Sequence, residues 1–158
     1  MATDYALPDE PRPGTLAQFA LNPMWPMFTL MLIGSGAAWL WFVFNSIAQG
    51  SPFRRQEMLW IGGGVLLSFA YVFGLFTLVN SGTVPKIAIP YFLIGLTVLK
   101  LVVGYRVYLY QVRSFELFQY YSSMPVKNGA LPFMILWFVA GRLKLHEQLP
   151  VLVTLALG

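Results

Sequence analysis

LTVLKLVVGYRVYLYQVR, residues 96–113, is hydrocarbon interrupted by Lys100, Arg106 and Arg113, with tyrosines at 105, 108 and 110. It reads as a helix leaving a lipid bilayer. With Ile87 at one hydrocarbon boundary, a rise of about 1.5 Å per residue puts Lys100 about 20 Å deep and Arg106 about 28 Å deep. Arg106 therefore reaches the far side of a layer about 30 Å thick. Lys100 stops roughly 8 to 10 Å short, a gap that its flexible stem, helix tilt and a bend at Pro90 can close. The expectation is that this intramembrane charge is a snorkelling anchor; the alternative is an interior site paired with a polar group such as Asn45. The tyrosines fit an aromatic belt at the boundary.

Outward from this stretch lie further apolar runs at Met24–Ile47, Leu59–Val79 and Ala130–Ala140. All are apolar on every face, which excludes the alternation of barrel strands and leaves helices as the way to satisfy backbone groups in lipid. The composition agrees: 58% hydrophobic, 16% aromatic and 10% charged, against about 25% charged in ordinary soluble domains. The predicted fold class is all-α, a polytopic helical membrane protein with spans at residues 23–48, 52–79 and 86–110. The third helix is expected to overrun the membrane through 111–122. Residues 130–145 supply a fourth short span or a re-entrant segment, and 149–158 a further short apolar piece. Residues 1–14, with three prolines and small polar side chains, read as a disordered leader to a single domain at 15–158.

Punctuation supports these boundaries. Asn22-Pro23 suits a helix start, Gly50-Ser51-Pro52 a stop followed by a new start, and Asn80 to Pro85 a tight turn. Pro125 and Asn128-Gly129 end the overrun. Small residues then suggest how the helices meet. Gly34, Ala38 and Asn45 share one face with Trp41, and Gly63, Ala70 and Gly74 share a face of the next helix. Small side chains allow close approach, and an Asn in the stripe can bond across to a neighbour. The first two spans are predicted to pair antiparallel through these seams.

The formal charge of +4 comes from basic residues scattered at the ends of apolar runs, a membrane-interface pattern that excludes a nucleic-acid footprint. Arg54 and Arg55 at a helix amino terminus oppose its macrodipole, so anionic lipid headgroups on the cytoplasmic face are their expected partners. Arg106 and Arg113 join them as headgroup or partner-protein contacts, with Arg113 also in reach of Glu116 at i+3. If 130–141 crosses the membrane, Arg142 and Lys144 join Arg12 and Lys86 outside, and the charge bias nearly vanishes. A segment that does not cross keeps them inside with Arg54, Arg55, Arg106, Arg113 and Lys127. The predicted topology therefore has the amino terminus outside and the carboxyl terminus cytoplasmic, in a bacterial inner membrane.

Candidate chemistry is sparse. Without cysteine there is no thiolate metal site, and His146-Glu147-Gln148 lacks the second histidine of a zinc hydrolase helix. Gly62-Gly63-Gly64 lacks the Lys-Ser or Lys-Thr of a phosphate loop. No catalytic residue, metal or cofactor is predicted, and no acidic residue in a span supplies a proton relay. The favoured function is a non-enzymatic accessory or partner-binding membrane subunit, including a small immunity-type protein. A transporter or channel component, with Lys100, Asn45 and Arg106 lining a polar path, is the alternative. A lipid-handling enzyme whose arginines 54, 55, 106 and 113 grip a phosphate comes third.

Overall fold

A computed structural model describes Pro11 and residues 14–121, 127–143 and 151–158. The expectations for the remaining leader residues, for the break at 122–126 with Pro125, and for Lys144 and His146-Glu147-Gln148 lie outside the described residues. Those described form helices α1 (Met24–Leu32), α2 (Ser35–Gln49), α3 (Arg54–Asn80), α4 (Ile89–Tyr121), α5 (Ala130–Leu143) and α6 (Val151–Leu157), with short 3-10 turns at Ala17–Phe19 and Lys86–Ala88.

The scaffold is the antiparallel pair α3–α4. Their 27 and 33 residues make rods of about 40 and 50 Å. Register is fixed by Gly64 against Val103, the Tyr71 hydroxyl donating to the Phe92 carbonyl at 2.9 Å, and Val72 against Leu96. Both helices are long and apolar enough to cross a membrane, yet only 28% of the most apolar window of each is buried. A core helix of a water-soluble protein would be mostly covered. Here Leu66, Phe73, Ile94 and Val102 point outward, a far more extensive apolar surface than water normally meets.

The first apolar run is not one helix, which corrects the predicted span at 23–48. It breaks at Ile33–Gly34, and the two halves return past each other. The Leu21 N–H donates to Asn45 Oδ1 at 3.0 Å and Gln49 Nε2 donates to the Leu21 carbonyl at 3.2 Å, so the start of α1 lies beside the end of α2. The reversal needs glycine: Gly34 has φ 138°, disfavoured for a residue with a Cβ, and an added Cβ would lie 3.2 Å from the Gly158 backbone. The Thr29 carbonyl accepts from both Ile33 and Gly34, closing α1. At the other end Gly50, left-handed at φ 61°, stops α2 where the punctuation placed it.

Folding back has a topological consequence. Ala17, Ala20 and Ala48 cluster with Phe115 and Phe118, so residues 17–20 lie at the same end of the molecule as the start of α3 with Arg54 and Arg55. The predicted placement of the amino terminus itself lies outside the described residues, but the described start of the domain is not at the opposite end from Arg54 and Arg55. Described helices of spanning length and apolarity number two, α3 and α4.

The predicted glycine seam is also displaced. Gly63 and Gly74 face open space, with nothing within 4 Å of a built Cβ, and Ala70 is exposed. The buried stripe of α3 is Glu57, Ile61, Gly64, Ser68, Val72 and Leu75. It meets α4 closely at Gly64, where an added Cβ would come within 2.6 Å of Val103. Gly34 abuts the end of α6, and Ala38 is buried with Leu30, Trp39, Phe42 and Val107. Gly63→Leu is therefore expected to leave thermal unfolding in detergent unchanged, while Gly64→Leu destabilises by about 1–3 kcal/mol through overpacking. Equal melting shifts for the two would place the contact on the wrong face.

Helices α5 and α6 complete one flank of the scaffold. Phe133 of α5 contacts Trp25 at a ring separation of 5.7 Å, and Gly129 lies against the same indole. Its 14 residues reach about 21 Å, short of a bilayer. The ends of α5 and α6 meet the α1–α2 tip around a small apolar cavity lined by Ile33, Gly36, Leu136, Ala140 and Leu157.

Candidate functional site

A fully buried polar network joins α2, α3 and α4 near the basic end. Asn45, Gln49, Glu57, Gln111 and Ser114 have no solvent exposure. Gln111 is the hub: its Nε2 donates to the Phe42 carbonyl at 2.7 Å and to Glu57 Oε2 at 3.1 Å, while its Oε1 accepts from Asn45 Nδ2 at 3.2 Å. Ser51 donates to Glu57 Oε1 at 2.5 Å and lies 2.8 Å from the Ser114 hydroxyl. The Ser114 hydroxyl in turn is 3.0 Å from the Tyr110 carbonyl.

Local sequence explains this assembly. Gly50 turns the chain out of α2 so that Ser51 reaches Glu57 in the first turn of α3, and Gln111 and Ser114 lie at i, i+3 on the inward face of α4. Ser51, in the predicted new start at Gly50-Ser51-Pro52, accepts from Phe53 N–H at 3.2 Å and donates to Glu57, and α3 has no side-chain cap. Each member is held by at least one partner, and the carboxylate accepts from two neutral donors. Such a closed network fixes the helix register. Trp39 Nε1, Ser46 Oγ and Gln49 Oε1 are buried without a protein partner.

Lys100 is handled separately, and not as predicted. Its side chain is buried, turned inward to α6: Nζ donates to the Leu155 carbonyl at 2.9 Å and to the Gly158 carbonyl at 2.6 Å. An ammonium at these last carbonyls opposes the negative end of the α6 dipole. The distance to the interface was bridgeable, but a nearer set of acceptors from a segment 55 residues downstream was not visible in the spacing. Lys100→Met is expected to raise amide exchange across Val151–Leu157 by about 10-fold or more, since its two bonds tie the end of α6 to α4, with a smaller effect on α3 and α4. Unchanged exchange in α6 would show that apolar packing alone holds it.

The arginines face outward. Arg54 and Arg55 are exposed at the start of α3, Arg106 lies 5.4 Å from the Trp60 ring centroid, and Arg113 lies 5.4 Å from that of Phe53. The predicted Arg113–Glu116 pair is not formed; the guanidinium stacks on α3 instead, where an aromatic face is available. Lys127 and Arg142 sit similarly over Phe19 and Phe138, each at 4.9 Å.

The structure therefore does not bring Asn45, Lys100 and Arg106 together along a path. Asn45 is bonded to Gln111, Lys100 to α6, and Arg106 is on the outer α3–α4 seam. Among the described residues, no group of His, Cys, Asp and Glu could hold a metal ion. Sequence reasoning singled out Asn45 and missed Glu57, Gln111, Ser51 and Ser114. The usable signal was the placement of Glu57 on the stripe of Ile61, Gly64 and Ser68. No family model, curated protein or solved structure matches the chain.

Proposed function

We propose that this chain is a non-enzymatic, partner-binding subunit of a bacterial inner membrane, with two spans, α3 and α4, and a re-entrant hairpin formed by α1 and α2. The observation that carries the reading is that the described helices too short to cross, α1, α2, α5 and α6, pack around two full-length ones, α1, α2 and α6 against them and α5 on α1. In lipid a short apolar helix thins the bilayer or recruits a neighbour to cover the mismatch. The outer faces of α2 and α5 bound an open apolar groove of about 470 Å³ between Leu40, Trp41, Phe44, Pro132 and Ile135, a seat for a full-length helix of another membrane protein.

Orientation follows from charge. Arg54, Arg55, Arg106, Arg113 and Lys127 flank one end of the α3–α4 pair, and Lys86 lies in the turn at the other, so the basic end is cytoplasmic. An impermeant maleimide should label Thr83→Cys from outside intact cells and leave Leu16→Cys and Gln56→Cys unlabelled. A photocrosslinking residue at Trp41 or Ile135 should capture a discrete membrane protein, whereas one at Phe73, on the far face of α3, should give lipid adducts. Lipid adducts at all three positions would remove the basis for a partner in this groove.

A further inference from the structure

The outward seam between α3 and α4 combines features that the network and the hairpin leave unused. Along α3, Trp60, Gly63, Leu67 and Ala70 with Val103 of α4 line an open groove of about 510 Å³. Its floor is lowered at Gly63, which has no side chain and nothing within 4 Å of where a Cβ would be. From Leu59 to Ala70 it runs about 16 Å, half of a hydrocarbon layer about 30 Å thick. At its mouth sits the exposed Arg106, one turn from Val103 and stacked on Trp60, and two turns further on Arg113 is stacked on Phe53. Neither guanidinium meets a carboxylate among the described residues. From Trp60 to Asn80 is about 30 Å of helix, which places Arg106 at a headgroup boundary with the groove running inward from it.

We infer that this seam is a binding site for one anionic phospholipid, its phosphate on Arg106, with Arg113 about 10 Å further along α4 at the level of the headgroups, and one acyl chain in the Gly63–Ala70 groove. The inference rests on the membrane reading above. A planar guanidinium matches phosphate oxygens with paired N–H donors. Stacking on an indole holds that fork in place while leaving its edge free for the anion. The shape separates this ligand from free phosphate: the charge is at the end of a one-leaflet hydrocarbon slot.

The test uses the full chain purified in a neutral detergent, with thermal unfolding followed on adding phosphatidylglycerol, phosphatidylcholine, or glycerol 3-phosphate. Phosphatidylglycerol should raise the midpoint by several degrees more than phosphatidylcholine, and glycerol 3-phosphate should have no effect. Arg106→Gln should abolish the difference between the two lipids, and Gly63→Leu, which fills the groove without touching the interior, should do the same with the lipid-free midpoint unchanged. Equal shifts from both lipids in the unaltered chain, stabilisation by glycerol 3-phosphate alone, or a full preference retained in both variants would overturn the site. The membrane reading fails separately, if the chain stays monodisperse after detergent is removed.

Discussion

Replacing Gln111 by leucine is expected to destabilise the fold by about 3–5 kcal/mol, the largest effect of any single side-chain truncation in the polar network. The amide serves three buried groups at once: the Phe42 carbonyl, the Glu57 carboxylate and the Asn45 amide. Leucine fills the volume but leaves all three short of a partner, and Glu57 is the costly one, since its fully buried Oε2 loses the donor that Gln111 supplies. Glu57→Leu alone removes the acceptor and should cost less, about 2 kcal/mol. The double variant replaces both partners with apolar groups and should be more stable than the sum of the single effects requires. Reversible denaturation in mixed micelles measures all three. A Gln111→Leu midpoint indistinguishable from the parent, or strict additivity, would show that water reaches the network.

Gly104→Leu is expected to cost about 3 kcal/mol and to release α1 from α4. Leu30 of α1 occupies the space that any side chain at 104 would take, and the Trp39 ring lies 3.8 Å from the same point. Both neighbours belong to the central cluster with Phe42 and Val107, so neither moves without disturbing the other. Protease sensitivity and amide exchange should rise first in Met24–Leu32. Gly62→Leu, on the open side of α3, is the control for added bulk alone. Equal destabilisation by the two would argue that α1 is not seated on Gly104.

The two long helices were legible because their runs are complete and bounded by turn residues, and because nothing interrupts α4 from Ile89 to Tyr121, the overrun included. The hairpin was not legible for a physical reason: a run apolar on every face has no phase, so a straight helix and one that reverses look alike. Gly34-Ser35-Gly36 carries the reversal, yet the same small residues also describe a packing seam. A shift of one residue, about 100° around the helix, separates outward Gly63 from inward Gly64. Glu57 was hidden by its neighbours, since Arg54, Arg55 and Gln56 made the first turn of α3 look wholly headgroup-facing. Gln111 and Ser114 were obscured by lying in the overrun, where polar side chains attract no notice. Lys100 was recognised as unusual, but its partners come from distant backbone, and backbone carbonyls leave no mark in a sequence.

The returning hairpin also bears on how the chain is made. Synthesis proceeds from the amino terminus, so Met24 to Gln49 leave the ribosome before the residues of α4 and α6 that hold them. Asn45 waits for Gln111, 66 positions on, and Ser35 for the Ala156 carbonyl, 121 positions on. A nascent chain ending near Gly95 would therefore hold the whole first apolar run with neither Gly104 nor Gln111 to fold against. The contacts that seat the hairpin on α4, Leu30 at Gly104 and Asn45 on Gln111, therefore form only once α4 exists, whereas those that close the hairpin on itself, Leu21 with Asn45 and Gln49, need no later residue.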